Sequence, residues 1–334
     1  MIQHLFDKAA HVVVVTHVDP DGDALGSLTA VGQAFKQLGA NVTLVCDDRV
    51  PERFMYLPMA DQVKPYPQEN VYYDLMVVVD CGDVGRMGDA YTDYPRPFPT
   101  IINIDHHVTN TRFGDFQRID DQATSTTEIL YDLFCELGIE ITADIALSLL
   151  TGLVTDTLGF RTVGVTAKTM KIASELMDAG ASLPFVTTNA LTIRPLKTLE
   201  LWRIGLNRLN LKNGLAWATI TLEERASIEF RGQSSMGLVN LFADIDEVAM
   251  GAVLMEIEGG LIRIGLRCRP PFNVAEVAHQ LGGGGHFLAA GCTLETSLAE
   301  AEEIVLTACQ EAIQRQSVGQ ELRQPLAEVL APVA

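Results

Sequence analysis

Residues 11–24 read His-Val-Val-Val-Val-Thr-His-Val-Asp-Pro-Asp-Gly-Asp-Ala, an apolar run that turns abruptly into charge. His11–Thr16 shows no polar alternation, so it reads as a strand covered on both faces. Behind the charged turn, Leu25, Leu28, Val31, Phe35 and Leu38 recur at helical spacing, which predicts a helix over Ala24–Leu38 stopped by Gly39. The same alternation continues downstream. Val42–Cys46, Leu75–Val79 and Thr100–Ile104 read as strands, and Ser125–Leu137, Ala143–Thr155 and Thr166–Ala179 as helices. Strand–helix alternation of this kind predicts an α/β domain on a mostly parallel sheet.

The chain has 334 residues, too many for one ordinary core, so a second domain is expected. Turn residues around Pro184 and Pro195 place the linker at 186–200, between a domain over 1–185 and one over 201–334. In the second half, Leu215–Leu222, Val248–Glu256 and Leu261–Arg267 read as strands, with helices near Val274–Leu281 and Leu298–Gln314. That pattern predicts a smaller α+β domain with a weakly ordered tail after Gln316.

Hydrophobic residues make up 48% and charged residues 20%, a globular balance. The formal net charge of −19 argues against a long duplex or long single strand as partner, because gripping many phosphates requires a basic surface. A small anion is still accommodated where metals and a few arginines reverse the field locally. The six cysteines form no C-x-x-C pair, which disfavours a zinc ribbon or a redox motif and suits reduced, mostly buried thiols. No apolar run approaches the ~20 residues that span a bilayer, and MIQHLFDKAA lacks the basic and apolar segments of a signal peptide. A cytoplasmic protein without membrane contact is expected.

Four polar clusters follow the apolar runs: His17-Val18-Asp19-Pro20-Asp21-Gly22-Asp23, Asp80-Cys81-Gly82-Asp83, Asp105-His106-His107 and Thr155-Asp156-Thr157. Sites in parallel α/β sheets form beyond the carboxyl ends of the strands. Carboxylates gathered there repel by several kcal/mol unless cations intervene. Two divalent ions would neutralise Asp21, Asp23, Asp80 and Asp156 charge for charge. Mixed oxygen and imidazole donors suit Mn²⁺ first, with Mg²⁺, Co²⁺ or iron as alternatives, and the absence of thiolate disfavours a structural zinc. Singly, each cluster has a plainer reading: Asp-Gly-Asp before a helix is commonly a turn and an N-cap, and a lone histidine such as His4, His11 or His279 is commonly structural. Four clusters in corresponding positions favour chemistry.

The order H-x-D-P-D-G-D-A-x-G-S (17–27), V-V-D-C-G-D (78–83), D-H-H (105–107) and T-D-T (155–157) resembles the DHH phosphoesterase superfamily. Gly282–Gly285, His286 and Ala289-Ala290-Gly291 are similar to the associated DHHA1 domain, so the resemblance spans roughly 1–315. The resemblance implies that His17 and Asp21 hold one metal and Asp23, His106 and Asp156 the other, with Asp80 bridging. It also implies that Asp105 and His107 stand behind them, orienting an imidazole or contacting phosphate, so that Asp80, Asp105, His106 and His107 are the catalytic set. The active site is then expected in a cleft between the domains. The glycine run is expected as an anion-binding loop of Gly283, Gly284 and Gly285 with His286 as donor, and Arg267, with Arg269, as a clamp on a terminal phosphate. Ser125 and Thr126 either touch substrate or cap their helix. Two departures stand out. Gly265-Leu266-Arg267-Cys268 lacks both hydroxyls of the usual S-L-R-S, and Asp156–Arg161 carries Leu158-Gly159 where D-T-G-x-F-R is commoner.

Within the superfamily the compact length is similar to the nanoRNase and 3′-phosphoadenosine-5′-phosphate phosphatase group. The expected substrates are short single-stranded RNAs of about two to five nucleotides, cut to mononucleotides, and also phosphoadenosine phosphate, small enough for one compact site. A cyclic-di-AMP or linear dinucleotide phosphodiesterase is the alternative within the class, and a non-catalytic nucleotide-binding sensor the alternative outside it. A RecJ-like exonuclease on single-stranded DNA and a polyphosphatase fit less well. A homodimer is compatible with all of these readings.

Overall fold

The computed structural model describes residues 2–68, 71–92 and 99–321, and the chain divides into units at Met1–Ile193 and Arg194–Ala334. In the first unit β1 (His11–Val15), β2 (Asn41–Val45), β3 (Leu75–Val79), β4 (Thr100–Asp105) and β5 (Phe116–Ile119) form one sheet in the order β2-β1-β3-β4-β5, all parallel. The helices are α1 (Ile2–Lys8), α2 (Gly22–Gln37), the single turn α3 (Asp89–Thr92), α4 (Thr126–Leu137), α5 (Ala143–Asp156), α6 (Ala167–Asp178) and the short α7 (Leu183–Val186). Unbroken runs such as HVVVV and LMVVV suit a sheet covered on both faces. Val12, Val14, Val77 and Val79 pack into the large core with Leu25, Leu28 and Leu149, while Val13, Val15, Met76 and Val78 pack on the other side with Met87. The short strand β5 carries no apolar pattern and escapes a sequence reading.

The strand order reverses direction between β1 and β3, so their carboxyl ends open a crevice at the sheet's switch point. Helices α2 and α5 cross beside it unusually closely. A Cβ on Gly26 would lie 2.5 Å from the Ser148 carbonyl oxygen, and one on Gly152 only 2.4 Å from Asp23 Oδ1. Glycine at the crossing therefore brings the end of α5, and Asp156 with it, against the start of α2.

The second unit contains β6 (Asn210–Lys212), β7 (Leu215–Ile220), β8 (Met250–Ile257), β9 (Leu261–Cys268), β10 (Gly284–His286) and β11 (Ala289–Glu295), in the order β10-β11-β9-β8-β7-β6. Only the β7–β8 pair is parallel. Its helices are α8 (Leu196–Asn207), α9 (Leu222–Ser227), α10 (Leu238–Ala243), α11 (Val274–Gln280) and α12 (Leu298–Glu321). Leu254 and Ile264 pack with α11 and α12, whereas Val253 and Met255 pack with α8 and α10. Two details add to the sequence reading, and the glycine run is a correction. Much of the 186–200 segment is helical, in a π-helical turn at Thr187–Thr192 and the start of α8. The last helix runs to Glu321, beyond Gln316, and the remainder of the expected tail lies outside the described residues. The glycine run is not a loop throughout: Gly284–His286 pairs antiparallel with Ala289–Gly291. A Cβ on Gly283 would meet the Gly291 carbonyl at 2.2 Å, so part of that run serves close chain packing.

Candidate metal centre

All four sequence clusters converge on the carboxyl edge of the first sheet. His17 follows β1, Asp21 and Asp23 open α2, Asp80 follows β3, Asp105 ends β4 with His106 and His107 behind it, and Asp156 ends α5. Asp80 adopts φ 53, a left-handed conformation that aspartate tolerates better than most residues and that turns its carboxylate back over the strand ends.

Two groups of three that share no residue could each hold a metal ion, His17, Asp21 and Asp80, and Asp23, His106 and Asp156, and a third group, Asp80, His106 and His107, overlaps both. Within each, one donor atom per residue lies within 4.8 Å of the others. Asp80 links them. Its Oδ2 is 3.5 Å from His17 Nε2 and its Oδ1 is 3.7 Å from His106 Nε2. His106 Nε2 is also 3.3 Å from Asp156 Oδ2 and 3.9 Å from Asp23 Oδ2. Each of these imidazoles is fixed from behind. His17 Nδ1 lies 2.6 Å from the Val18 carbonyl and His106 Nδ1 lies 3.3 Å from the Ala123 carbonyl. A carbonyl only accepts, so both Nδ1 atoms carry a proton, and each Nε2 faces the carboxylates, donating to them when protonated and offering its lone pair to a cation once that proton leaves.

The carboxylates are placed by a layer of residues that sequence reading largely missed. Asp23 is fully buried and accepts from Thr126 N at 2.6 Å, Thr127 N at 3.1 Å and Thr127 Oγ1 at 2.9 Å. Thr126 Oγ1 donates to Asp80 Oδ1 at 2.9 Å, while Ser125 caps α4 by accepting from Glu128 N. Of this pair, Ser125 takes the helix cap, one of the two expected roles, whereas Thr126 holds a carboxylate, a role outside both. Asp21 is both N-cap of α2 and a member of the first triad, so the plain and the chemical readings hold together. Asp105 is fully buried, accepting from His107 Nδ1 at 2.7 Å and from Asn110 Nδ2. Asn110 in turn donates to Asn103 Oδ1 at 2.9 Å.

Electrostatics show a site short of cations. Burial and then the charge of Asp80 push Asp23 up to about 7. Burial, with the charges of Asp23, Asp21 and Asp80, raises Asp156 far above the ordinary range. Burial opposes ionisation of Asp80 too, but the His17 hydrogen bond and the charges of His17, His106 and His107 outweigh it and hold this carboxyl low. The same carboxylates raise His17, His106 and His107 despite the opposing effect of burial. Ligand type, tautomer and excess negative charge together fit divalent cations.

In the second unit, His286 pairs with Ala289 and Ala289 with Arg267, which sets Arg267 and His286 on one rung and one face, roughly 10 Å apart. Arg267 also lines a 170 Å³ cavity with Ser234, Ser235, Arg263 and Gly265. Arg269 is a correction: its Nη2 donates to the carbonyls of Ile245, Asp246 and Val248 at 2.7–3.0 Å, which commits it to holding a loop. At the second sequence departure, Leu158 itself takes φ 51 where the resembled pattern carries glycine, followed by Gly159 at 74 and Phe160 at 64.

The family model described as "DHH family, N-terminal domain" matches residues 11–153, and that of the DHHA1 domain matches 222–315. The bifunctional oligoribonuclease and PAP phosphatase NrnA of Thermus thermophilus is 33% identical over 306 residues, covering 91% of this chain and 90% of the relative. The Bacillus subtilis protein of that name is 26% identical, covering 90% and 95%. Among solved structures, an exopolyphosphatase-related protein from Bacteroides fragilis superposes with a TM-score of 0.87 at 24% identity, covering 93% and 94%. RecJ from Thermus thermophilus, solved with Mn²⁺, shares the fold at a TM-score of 0.55 and 15% identity, covering 92% of this chain and 54% of that one.

Proposed function

The chain belongs to the DHH family, and from that premise we propose that it is a two-metal phosphoesterase hydrolysing short oligoribonucleotides, about two to five nucleotides long, and 3′-phosphoadenosine-5′-phosphate. The observation that carries the reading is the pair of triads joined through Asp80. His17, Asp21 and Asp80 would hold one ion and Asp23, His106, Asp156 and the shared Asp80 the other. Mn²⁺ is the preferred ion, and Mg²⁺ or Co²⁺ suit the same donors. When bound, such ions supply an activated water and charge neutralisation on the phosphoryl group.

The protein's part is positioning. Thr126 and His17 fix the two oxygens of Asp80, and the amides at the start of α4 hold Asp23. Asp105 keeps a proton on His107 Nδ1 and so orients the imidazole, which is assigned a contact with phosphate. Nothing in such a site calls for a serine or cysteine nucleophile, because phosphoryl transfer needs chiefly alignment and charge neutralisation. In the second unit, Arg267 and His286, with Gly283, Gly284 and Gly285 beneath them, are assigned to a distal phosphate of the substrate.

The relatives that the chain matches along nearly its whole length are named for both substrates, which supports this pair over a cyclic dinucleotide. The test is a side-by-side turnover assay in Mn²⁺ with a trinucleotide RNA, phosphoadenosine phosphate and cyclic-di-AMP. The first two are expected to be consumed fastest. Turnover of the cyclic dinucleotide alone would refute the substrate assignment, and binding without turnover of any would refute the enzyme.

A further inference from the structure

Arg86 belongs to none of the four sequence clusters, yet its guanidinium stands at the metal centre, with Nη2 3.2 Å from His17 Nδ1. Its backbone is pinned there. The turn Val84–Met87 is capped by Asp83, which accepts from Gly85 N at 2.8 Å, and the Arg86 carbonyl accepts from Val18 N at 2.8 Å. The contact with His17 has an unusual character. Val18's carbonyl, 2.6 Å away, requires the proton on His17 Nδ1, and a guanidinium can only donate. Two donors therefore face each other, and the imidazole cannot satisfy the arginine. Among the described residues Arg86 enters no ion pair, although the site beside it gathers Asp21, Asp23, Asp80, Asp105 and Asp156. The side chain is exposed, whereas His17 is buried. A cation held at an acidic site, matched to no anion among the described residues and open to solvent, is arranged for an anion that arrives.

We propose that Arg86 is a catalytic residue that donates to a non-bridging oxygen of the phosphoryl group being cleaved, on the His17 side of the site. This rests on the phosphoesterase reading above and adds to it a contact at the reacting group itself. Its role differs from that assigned to Arg267, because a contact at the scissile phosphate serves every substrate, long or minimal.

The test uses the full chain loaded with Mn²⁺ and compares Arg86→Gln and Arg86→Lys with the parent protein. Calorimetry measures Mn²⁺ binding and then orthophosphate binding to the loaded protein. Kinetics follow a trinucleotide RNA and bis-p-nitrophenyl phosphate. Arg86→Gln is expected to keep Mn²⁺ affinity within about twofold while weakening orthophosphate and lowering kcat/KM on both esters by about ten- to a hundredfold. Arg86→Lys should recover only part, lacking the planar fork. Unchanged orthophosphate affinity, or a matching loss of Mn²⁺ affinity, would overturn the proposal, the latter by showing that Arg86 serves His17 instead. A parent protein that binds orthophosphate but cleaves neither ester would count against the phosphoesterase reading and leave the anion contact standing.

Discussion

Substituting Gly152 by alanine adds one methyl group to a residue that offers no ligand atom of its own, yet it should disable the site. The new Cβ would lie 2.4 Å from Asp23 Oδ1, 2.4 Å from Thr127 Cγ2 and 2.6 Å from Thr127 Oγ1, whereas ordinary contact begins near 3.4 Å. About 1 Å must therefore open. Asp23 cannot yield freely, since it accepts three hydrogen bonds from Thr126 and Thr127. Either the Thr127 hydroxyl releases the carboxylate or α5 moves away from α2, carrying Asp156 with it. Overpacking of this kind costs about 1–3 kcal/mol, and the better helix propensity of alanine returns up to about 1. The net effect on folding is then small, a fall in Tm of a few degrees. Activity should respond far more, because a displacement of about 1 Å in a catalytic group costs on the order of a hundredfold. Thermal unfolding, Mn²⁺ calorimetry and kcat on a trinucleotide RNA measure these together. A variant with parental Mn²⁺ affinity and parental kcat would refute the idea that the α2–α5 crossing sets the site.

Three further outcomes follow from the same geometry. Asp80→Ala should lower turnover by several orders of magnitude, since that carboxylate belongs to one triad and reaches His106 of the other, while circular dichroism shows an intact fold; near-normal kcat would remove Asp80 as the bridge. Arg267→Ala and His286→Ala should reduce kcat/KM for a trinucleotide about ten- to a hundredfold and leave bis-p-nitrophenyl phosphate and Mn²⁺ binding nearly untouched; equal losses on both esters would place them at the metals instead. Metal-free protein should lose stability as pH rises from about 4 to 8. Asp23 keeps its proton to about 7 when folded but ionises near 3.8 when unfolded, so folding takes up a proton across that window, and the raised histidines act in the same direction. Asp80, held low, contributes fully throughout it. Tm measured after chelation should fall by several degrees over this range, and saturating Mn²⁺ should flatten the trend. A metal-free Tm independent of pH would contradict the charge balance described here.

Sequence by itself determined the parts of this protein whose cause is local. Unbroken β-branched runs located β1, β3 and β4, 3.6-residue spacing located α2, α4, α5 and α6, and the polar residues just past them named the members of both triads. Each of those signals lies within a dozen residues of what it predicts, and so it survives in a linear reading. Tertiary structure alone decided what depends on approach between distant segments. Thr126 meets Asp80 across 46 positions and Thr127 meets Asp23 across 104, and neither threonine differs in local pattern from an ordinary helix start. Arg86 is one exposed arginine among many until the Val18 contact sets it against His17. The glycine–histidine run shows its strand only through β11, because three residues with a glycine majority carry no β propensity of their own. Arg267 and Arg269 look equivalent in the chain, and only the carbonyls around Arg269 show that one is committed to a loop while the other lines a cavity. Periodicity records which face a residue turns to the core, whereas the partner waiting on that face is fixed by packing, which no local pattern encodes.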